Sequence, residues 1–176
     1  MGLLIDRLAV PAAERTLPLP SGGSVSIKPL QAVVWISVAP PDVVDLPANA
    51  LRFPAVIDTG FNQTLLIQDW HLQSWAGVKP ADLQTFPGET ARYGNQNWPF
   101  RIADVWLHAS GLSGADSVKA DTPYCLETHP GILVVSERQR RQRLPVLGMR
   151  ALAWNRIHLC LDFDGPSLGW LSVEAP

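Results

Sequence analysis

A chain of 176 residues is long enough to build one hydrophobic core and too short for two domains of ordinary size. Hydrophobic residues make up 47% of it and charged residues 17%, which is typical of a globular protein, and the net charge of −2 gives no reason to expect a polyanionic partner. No apolar run is long enough to cross a bilayer, and the amino terminus lacks the basic segment of a secretory signal. We therefore expect a soluble, cytoplasmic protein without a membrane or nucleic-acid partner, with Cys125 and Cys160 as free thiols in strands.

The amino-terminal part mixes apolar pieces with prolines and the pair Gly22-Gly23. This composition favours an arm over residues 1–22 that lies on the fold, rather than a helix. Residues 23–176 are then the one domain. Within it, the β-rich runs at 25–28 and 32–38 predict one or two strands, which Pro40-Pro41 ends.

An apolar run at residues 53–57 leads into Asp58-Thr59-Gly60, and a second apolar run follows at 65–67. Both runs predict buried strands. A carboxylate at the end of such a strand is held rigidly beside apolar neighbours, which tend to raise its pKa, and Gly60 permits a sharp turn next to it. The three residues alone are equally typical of an ordinary turn. Asp69 is predicted to cap a short helix that reaches about Ala76.

The next segments also favour strands. Residues 89–93 and 98–107 predict a hairpin joined by residues 94–97, and residues 110–123 have the composition of an exposed loop. Further strands are predicted at 124–126, 132–136, 156–163 and 168–173, with a short helix at 149–154. Many short strands, 16 prolines, 13 glycines and no long helical period indicate a mainly β protein.

Far downstream, another apolar run at residues 144–147 leads into Gly148. Together with Asp58-Thr59-Gly60 and the Phe-Asn that follows it, this segment resembles the two signatures of the retropepsin-like aspartic proteases, and the form is most similar to the bacterial single-domain members. The resemblance covers about residues 51–173. It implies a closed β-barrel with one or two short helices, in which the loops at Asp58 and Gly148 pack together.

The resemblance also implies an activity, that of an aspartic endopeptidase working as a homodimer on a peptide or protein. Its catalytic motif would be Asp58, Thr59 and Gly60, with Thr59 locking the two loops across the dimer axis and Gly148 as a structural loop residue. Hydrolysis by a carboxylate pair needs one ionised and one protonated group, which two carboxyls achieve by sharing a site. Since the chain has one Asp-Thr-Gly, the second carboxyl would come from a second copy.

The hairpin lies where the family carries a mobile flap, so Tyr93, Gly94, Asn95 and Trp98 are candidate substrate-binding residues. An ordinary surface hairpin remains an open alternative. The chain also departs from the family pattern. Many members pair an Asp two positions after the Asp-Thr-Gly glycine with an Arg directly after the later Gly, and Asn62 and Met149 stand at those positions here, so this salt bridge is not expected.

The remaining patterns carry weaker predictions. The arginines at positions 138–143 could bind an acidic partner or RNA, although a solvated loop is favoured because aromatic residues are not interleaved; they are Arg138, Arg140, Arg141 and Arg143. The four histidines lack metal-ligand spacing, so neither a metal nor another cofactor is expected. A rival to the protease is a dimeric binding or assembly module that has the same fold and cleaves nothing.

Overall fold

The computed structural model describes residues 2–19, 22–41, 43, 45–47, 50–109, 122–136, 143–163 and 168–176. These residues are mainly in strands, which confirms the predicted class. In chain order the strands are β1 (Gly2–Pro11), β2 (Arg15–Pro18), β3 (Ser24–Ile27), β4 (Val33–Ala39), β5 (Phe53–Asp58), β6 (Leu65–Gln68), β7 (Thr85–Tyr93), β8 (Gln96–Arg101), β9 (Asp104–His108), β10 (Tyr124–Leu126), β11 (Ile132–Val135), β12 (Val146–Gly148), β13 (His158–Phe163) and β14 (Leu168–Ala175).

Two short helices accompany the strands in the described part of the chain. Helix α1 covers Asp69–Trp75 and helix α2 covers Met149–Trp154, both within about a residue or two of the prediction. A single 3₁₀ turn, Pro80–Asp82, follows α1. Among the described residues, no helix is long and apolar enough to span a membrane.

The largest sheet has nine strands in the order β10-β9-β4-β5-β12-β6-β11-β8-β7. Its central strands are buried on both faces: β6 and β11 are buried throughout, and β4 at six of its seven residues. That burial explains why these strands are continuous apolar runs instead of alternating ones. The outermost strands, β10 and β7, do not pair with each other in the described part of the chain. The predicted closed barrel was therefore wrong for the described residues, whose largest sheet does not close.

A three-stranded sheet, β1-β14-β13, and the pair β2-β3 complete the fold. The segment predicted as an arm supplies β1 and β2. Ile5 and Val10 of β1 are 2% and 1% exposed and belong to the main hydrophobic core. The arm thus lies on the fold as paired strands, and its apolar residues help to bury the core.

The predicted hairpin forms, with two differences. Gln96 and Asn97 pair with the strand opposite, so the turn consists of Gly94 and Asn95 alone. The predicted strand 98–107 is divided at Ile102 and Ala103: β8 pairs with β7 and β11, whereas β9 pairs with β4 and β10. The division occurs where the Ile102 amide donates a hydrogen bond to the Gln84 carbonyl, 2.8 Å away, outside the strand ladders.

Several predictions concern residues outside the described part of the chain. They include most of the loop at 110–123 and the arginines Arg138, Arg140 and Arg141. Arg143 is described. Cys125 lies on β10 and Cys160 on β13, and both are free thiols, as expected.

Candidate active site at Asp58

Strand β5 ends at Asp58, whose side chain is exposed although the first three residues of the strand are buried. The Gly60 amide donates a hydrogen bond to Asp58 Oδ1 at 2.9 Å, and the Phe61 amide donates to the Asp58 carbonyl at 3.1 Å. The first bond closes an Asx turn. A Cβ at position 60 would lie 3.2 Å from Asp58 Oδ1, which is tighter than ordinary contact. The predicted turn therefore holds the carboxylate through one of its oxygens, at an exposed position.

The strand that precedes α2 is inserted beside this turn. Strand β12 lies between β5 and β6, parallel to β5 and antiparallel to β6, and its register places Gly148 directly beside Asp58. The Gly148 amide donates to the Thr64 carbonyl at 2.9 Å, and the Met149 amide donates to the Phe61 carbonyl at 2.7 Å. The Asp58 and Gly148 segments thus pack together, joined by backbone hydrogen bonds.

Gly148 fits at this junction because it has no side chain. A Cβ there would lie 2.3 Å from the Gln63 carbonyl oxygen and 2.4 Å from that of Phe61. Both distances are far below van der Waals contact, and both atoms belong to the backbone, which cannot move aside easily. Asn62 and Met149 stand where the resemblance would place a salt bridge, and the Met149 backbone amide supplies one of the hydrogen bonds that join the two loops.

A cleft of about 190 Å³ opens beside Asp58. Asp58 comes from the end of β5, Tyr93 from the tip of the β7–β8 hairpin, and Arg143 from the segment before β12. Most of the other side chains around the cleft are apolar; the remaining residues are Phe61, Leu66, Gln68, Val135, Leu144, Pro145 and Val146. The carboxylate therefore borders a mostly apolar recess that could receive a side chain of a bound molecule.

The charges around the cleft are few. Among the described residues that line it, Asp58 is the one carboxylate and Arg143 the one cation. Arg143 Nη1 donates to Tyr93 Oη across 3.4 Å, at the long limit of a hydrogen bond. This contact joins the segment before β12 to the hairpin at the rim of the cleft.

The predicted substrate-binding residues divide into three positions. Tyr93 lines the cleft. Gly94, with a φ of +61°, and Asn95 form the exposed turn of the hairpin. Trp98 packs against a small apolar cluster that includes Phe100 and Leu133, and it is not among the residues lining the cleft. The structure thus brings Tyr93, and not Trp98, together with Asp58.

Other lining residues were not predicted from the sequence. Gln68 ends β6, and Val135 ends the neighbouring parallel strand β11. Gln68 is 6% exposed, and its Oε1 accepts a hydrogen bond from Trp70 Nε1 at 2.7 Å. These residues reach the cleft through pairing of strands that are distant in sequence. The one local signal is a polar residue at the end of an apolar run, and Gln68 shares it with many surface residues.

A second polar pair suggests a different chemistry, that of a serine hydrolase. Ser37 Oγ lies 2.8 Å from His108 Nε2 and donates to the Leu51 carbonyl at 2.9 Å. Since the hydroxyl has one proton, His108 Nε2 must donate to Ser37 in this arrangement and cannot act as its base. Ser37 and His108 are 0% and 1% exposed. The pair is therefore a buried structural contact.

Comparisons of the chain with protein-family models, curated proteins and solved structures found no match. The resemblance of the Asp58 and Gly148 segments to aspartic proteases accordingly stays a prediction. Within the described residues, no group of three or more His, Cys, Asp or Glu side chains could hold a metal ion.

Proposed function

We propose that the chain is a retropepsin-type aspartic endopeptidase that acts as a homodimer, with Asp58 of each copy in one shared site. The observation that carries the proposal is the placement of Asp58. It ends a largely buried strand, is oriented by the Gly60 amide, and borders a mostly apolar cleft next to the inserted strand β12. A rigidly held, solvent-accessible carboxylate beside a recess is what general acid–base hydrolysis of a bound peptide requires.

The proposed reaction uses the two carboxyls in different protonation states. The ionised carboxylate takes a proton from water, whose oxygen attacks the peptide carbonyl carbon, while the protonated carboxyl donates its proton to the carbonyl oxygen. When the tetrahedral intermediate collapses, a proton passes to the amide nitrogen and the C–N bond breaks. The products are a carboxylic acid and an amine, and the pair again shares one proton.

In this proposal the second carboxyl comes from a second copy of the chain, since Asp58 is the one carboxylate among the described residues of the cleft. A two-fold axis near Asp58 would bring the same residue from a second copy. Thr59 is exposed in the same turn. We assign Thr59 the locking role that the resemblance implies, between the two copies.

The cleft also supports a substrate class. Its apolar walls favour a large apolar side chain of an extended peptide next to the bond that is cleaved. Tyr93 at the hairpin tip and Arg143 opposite would contact the peptide as the hairpin closes over it. Arg143 is placed to hydrogen-bond a backbone carbonyl or an acidic side chain of that peptide.

The alternative is a dimeric binding or assembly module, and it is supported by the same cleft beside Asp58. A cleft with one carboxylate can hold a peptide without hydrolysing it. The two functions differ in one measurable respect, since the module would bind peptides and release them intact.

The test is cleavage of a broad peptide library by the wild-type chain and by Asp58→Asn, from about pH 4 to about pH 7, where a carboxyl pair changes protonation. We expect the variant to lose activity by a factor of about 10² to 10⁴, since an amide cannot serve as a base, with folding and association retained. Asp82→Asn is the control, because Asp82 is an exposed carboxylate in the 3₁₀ turn.

Undiminished turnover by Asp58→Asn would rule out the assignment. If the wild-type dimer binds peptides and cleaves none of them, the module is the correct function.

A further inference from the structure

Strand β13 forms one edge of the three-stranded sheet, and its outer side pairs with no described strand. It pairs with β14 over six consecutive residues without a shift in register. The opposite edge strand, β1, has two register shifts, and Arg7 within it has a φ of +50°. Irregular edges are poor templates for another strand, whereas straight ones are good templates. Of the two edges, β13 is the one suited to accept a further strand.

The side chains of β13 are also uncovered on the face that continues the core. Leu171 and Val173 of β14 are 0% and 1% exposed. On the same face of the sheet, Leu161 and Phe163 of β13 are 49% and 55% exposed. The buried apolar layer therefore ends at an edge strand whose own large apolar side chains face solvent, an arrangement typical of an interaction surface.

The sequence of β13 is complementary to itself. In antiparallel pairing about a two-fold axis through Cys160, opposite residues share a face of the sheet. His158 then lies opposite Asp162 of the second copy, and Leu159 lies opposite Leu161. Each of these pairs occurs twice, so basic meets acidic and apolar meets apolar on both sides of the axis.

Neighbouring registers match less well. Moving the axis to Leu159 shortens the stretch of strand that can pair. Moving it to Leu161 places the Asp162 carboxylate opposite the Cys160 thiol instead of the His158 imidazole. The pairing of His158 with Asp162 therefore favours the axis at Cys160 over its neighbours.

We propose that two copies of the chain associate through β13, by antiparallel pairing of this strand with itself about Cys160. The occupant of the edge is thus a second copy and not a foreign peptide. The proposed function needs a second copy of the chain, and this is the one respect in which the inference rests on it. The edge geometry and the self-complementary sequence are independent of any catalytic activity.

Two leucines in the same sheet provide a matched test by sedimentation velocity. Leu161 on β13 and Leu3 on β1 are both exposed, at 49% and 55%, on opposite edges of the sheet. Leu161→Lys should raise the dimer dissociation constant by about tenfold or more, since the charge enters the interface twice. Leu3→Lys should leave it unchanged. Equal effects of the two substitutions, or a wild-type chain that is monomeric throughout, would overturn the inference.

A charge exchange tests the register. His158→Asp places two carboxylates opposite each other, and Asp162→Lys places two basic groups opposite each other, so each should weaken the dimer. The double variant restores opposite charges and should recover most of the lost affinity. Because Glu174 neighbours His158 within its own sheet, thermal unfolding of each variant checks that the fold persists. A dimer dissociation constant that is the same in the wild type and all three variants would contradict the proposed register.

Cross-linking gives a direct readout at the axis. In a Cys125→Ser background, a short bifunctional thiol reagent should join Cys160 of the two copies, because directly opposite Cβ atoms are about 4.5–5.5 Å apart. The Asp162 carboxylate raises the pKa of the Cys160 thiol, so the reaction is run at alkaline pH. A dimer in solution that yields no cross-linked product would exclude an axis at this position.

The outcomes separate this inference from the proposed function. If Leu161→Lys does not weaken the dimer but Asp58→Asn abolishes activity, the protease is supported and the β13 interface is contradicted. If the wild-type dimer cleaves no peptide but Leu161→Lys dissociates it, the interface is supported and the protease is contradicted.

Discussion

Asp58 and Gly148 come from separate segments and become neighbours through the pairing of β5 with β12. Each has a local reason for its identity. Asp58 accepts the Gly60 amide and so fixes its own turn, while Gly148 lies so close to two backbone carbonyls that only a hydrogen can point toward them. The geometry of the candidate site therefore depends as much on a residue without a side chain as on the carboxylate.

Replacing Gly148 by alanine tests this dependence. The added Cβ would lie 2.3–2.4 Å from backbone oxygens of Gln63 and Phe61, so β12 and the turn after Asp58 must separate. We expect a loss of about 2–4 kcal/mol in the free energy of unfolding, comparable to overpacking a rigid core position.

Chemical denaturation is the measurement for this substitution. Gly2→Ala is the control, because nothing lies within 4 Å of a Cβ at that position. An unfolding midpoint for Gly148→Ala equal to that of Gly2→Ala would show that the two loops are less tightly packed than described.

At the same scale, the sequence predicts some site residues and not others. Asp58 and Gly60 stand out because a carboxylate and a glycine interrupt two apolar runs. Arg143 belongs to a basic run in the sequence, and nothing local links it to the Tyr93 hydroxyl, to which it donates a hydrogen bond. Contacts of this kind depend on the pairing of distant strands, which single-residue patterns do not encode.

The elements show the same limit. The existence of α1, α2 and most strands follows from local periodicity and turn residues. The division of the strand predicted at 98–107 does not, because its two halves are both β-rich and differ only in their partners, β11 for one and β4 for the other. The insertion of β12 between β5 and β6 likewise follows from no periodicity.

Helix α1 is attached to the core through an uncharged histidine. His71 is 1% exposed, and its ring centroid lies 3.7 Å from that of Trp70 and 4.0 Å from that of Trp75. Its Nδ1 has no hydrogen-bond partner among the residues that the structure describes. Burial lowers the pKa of His71 from 6.5 to about 3, and the nearby Asp69 carboxylate only partly opposes this shift. The helix therefore packs with a neutral imidazole between two indoles.

This arrangement predicts acid sensitivity of the fold. Because the pKa of His71 is lowered in the folded state, between about pH 6.5 and pH 3 this residue binds a proton in the unfolded chain but not in the folded chain. The contribution of His71 to the free energy of unfolding is fully present above pH 6.5. It falls as the pH drops, by about 1.4 kcal/mol per pH unit once the pH is well below 6.5. Lowering the pH from 7 to 5 should thus cost roughly 2 kcal/mol from this residue.

The measurement is denaturant unfolding across that pH range. His71→Phe keeps an aromatic ring and should remove this part of the slope, whereas His129→Gln, at an exposed turn position, should retain it. An unchanged slope in His71→Phe would show that His71 is not the group responsible.

At the scale of the whole molecule, the described strands form an open mixed sheet, a three-stranded sheet and a strand pair, instead of one closed barrel. Composition and the number of short strands predict the β class, because both are summed over the chain. Closure depends on whether the first and last strands of the sheet meet, which no local pattern states. The cleft at Asp58 needs only the centre of the large sheet and the hairpin at its edge, so the candidate site does not depend on closure.

The proposed shared site makes a prediction about mixtures of chains. Each active dimer needs two intact copies of Asp58, since a site with one Asp and one Asn lacks the shared proton and the paired acid and base roles. When wild-type chains exchange subunits with Asp58→Asn chains, random pairing predicts that activity falls as the square of the wild-type fraction. Turnover is measured against the mole fraction of variant after equilibration, with exchange followed independently by labelled chains. A straight-line decline with exchange demonstrated would mean that each chain works with its own carboxylate, and the shared dyad would have to be abandoned.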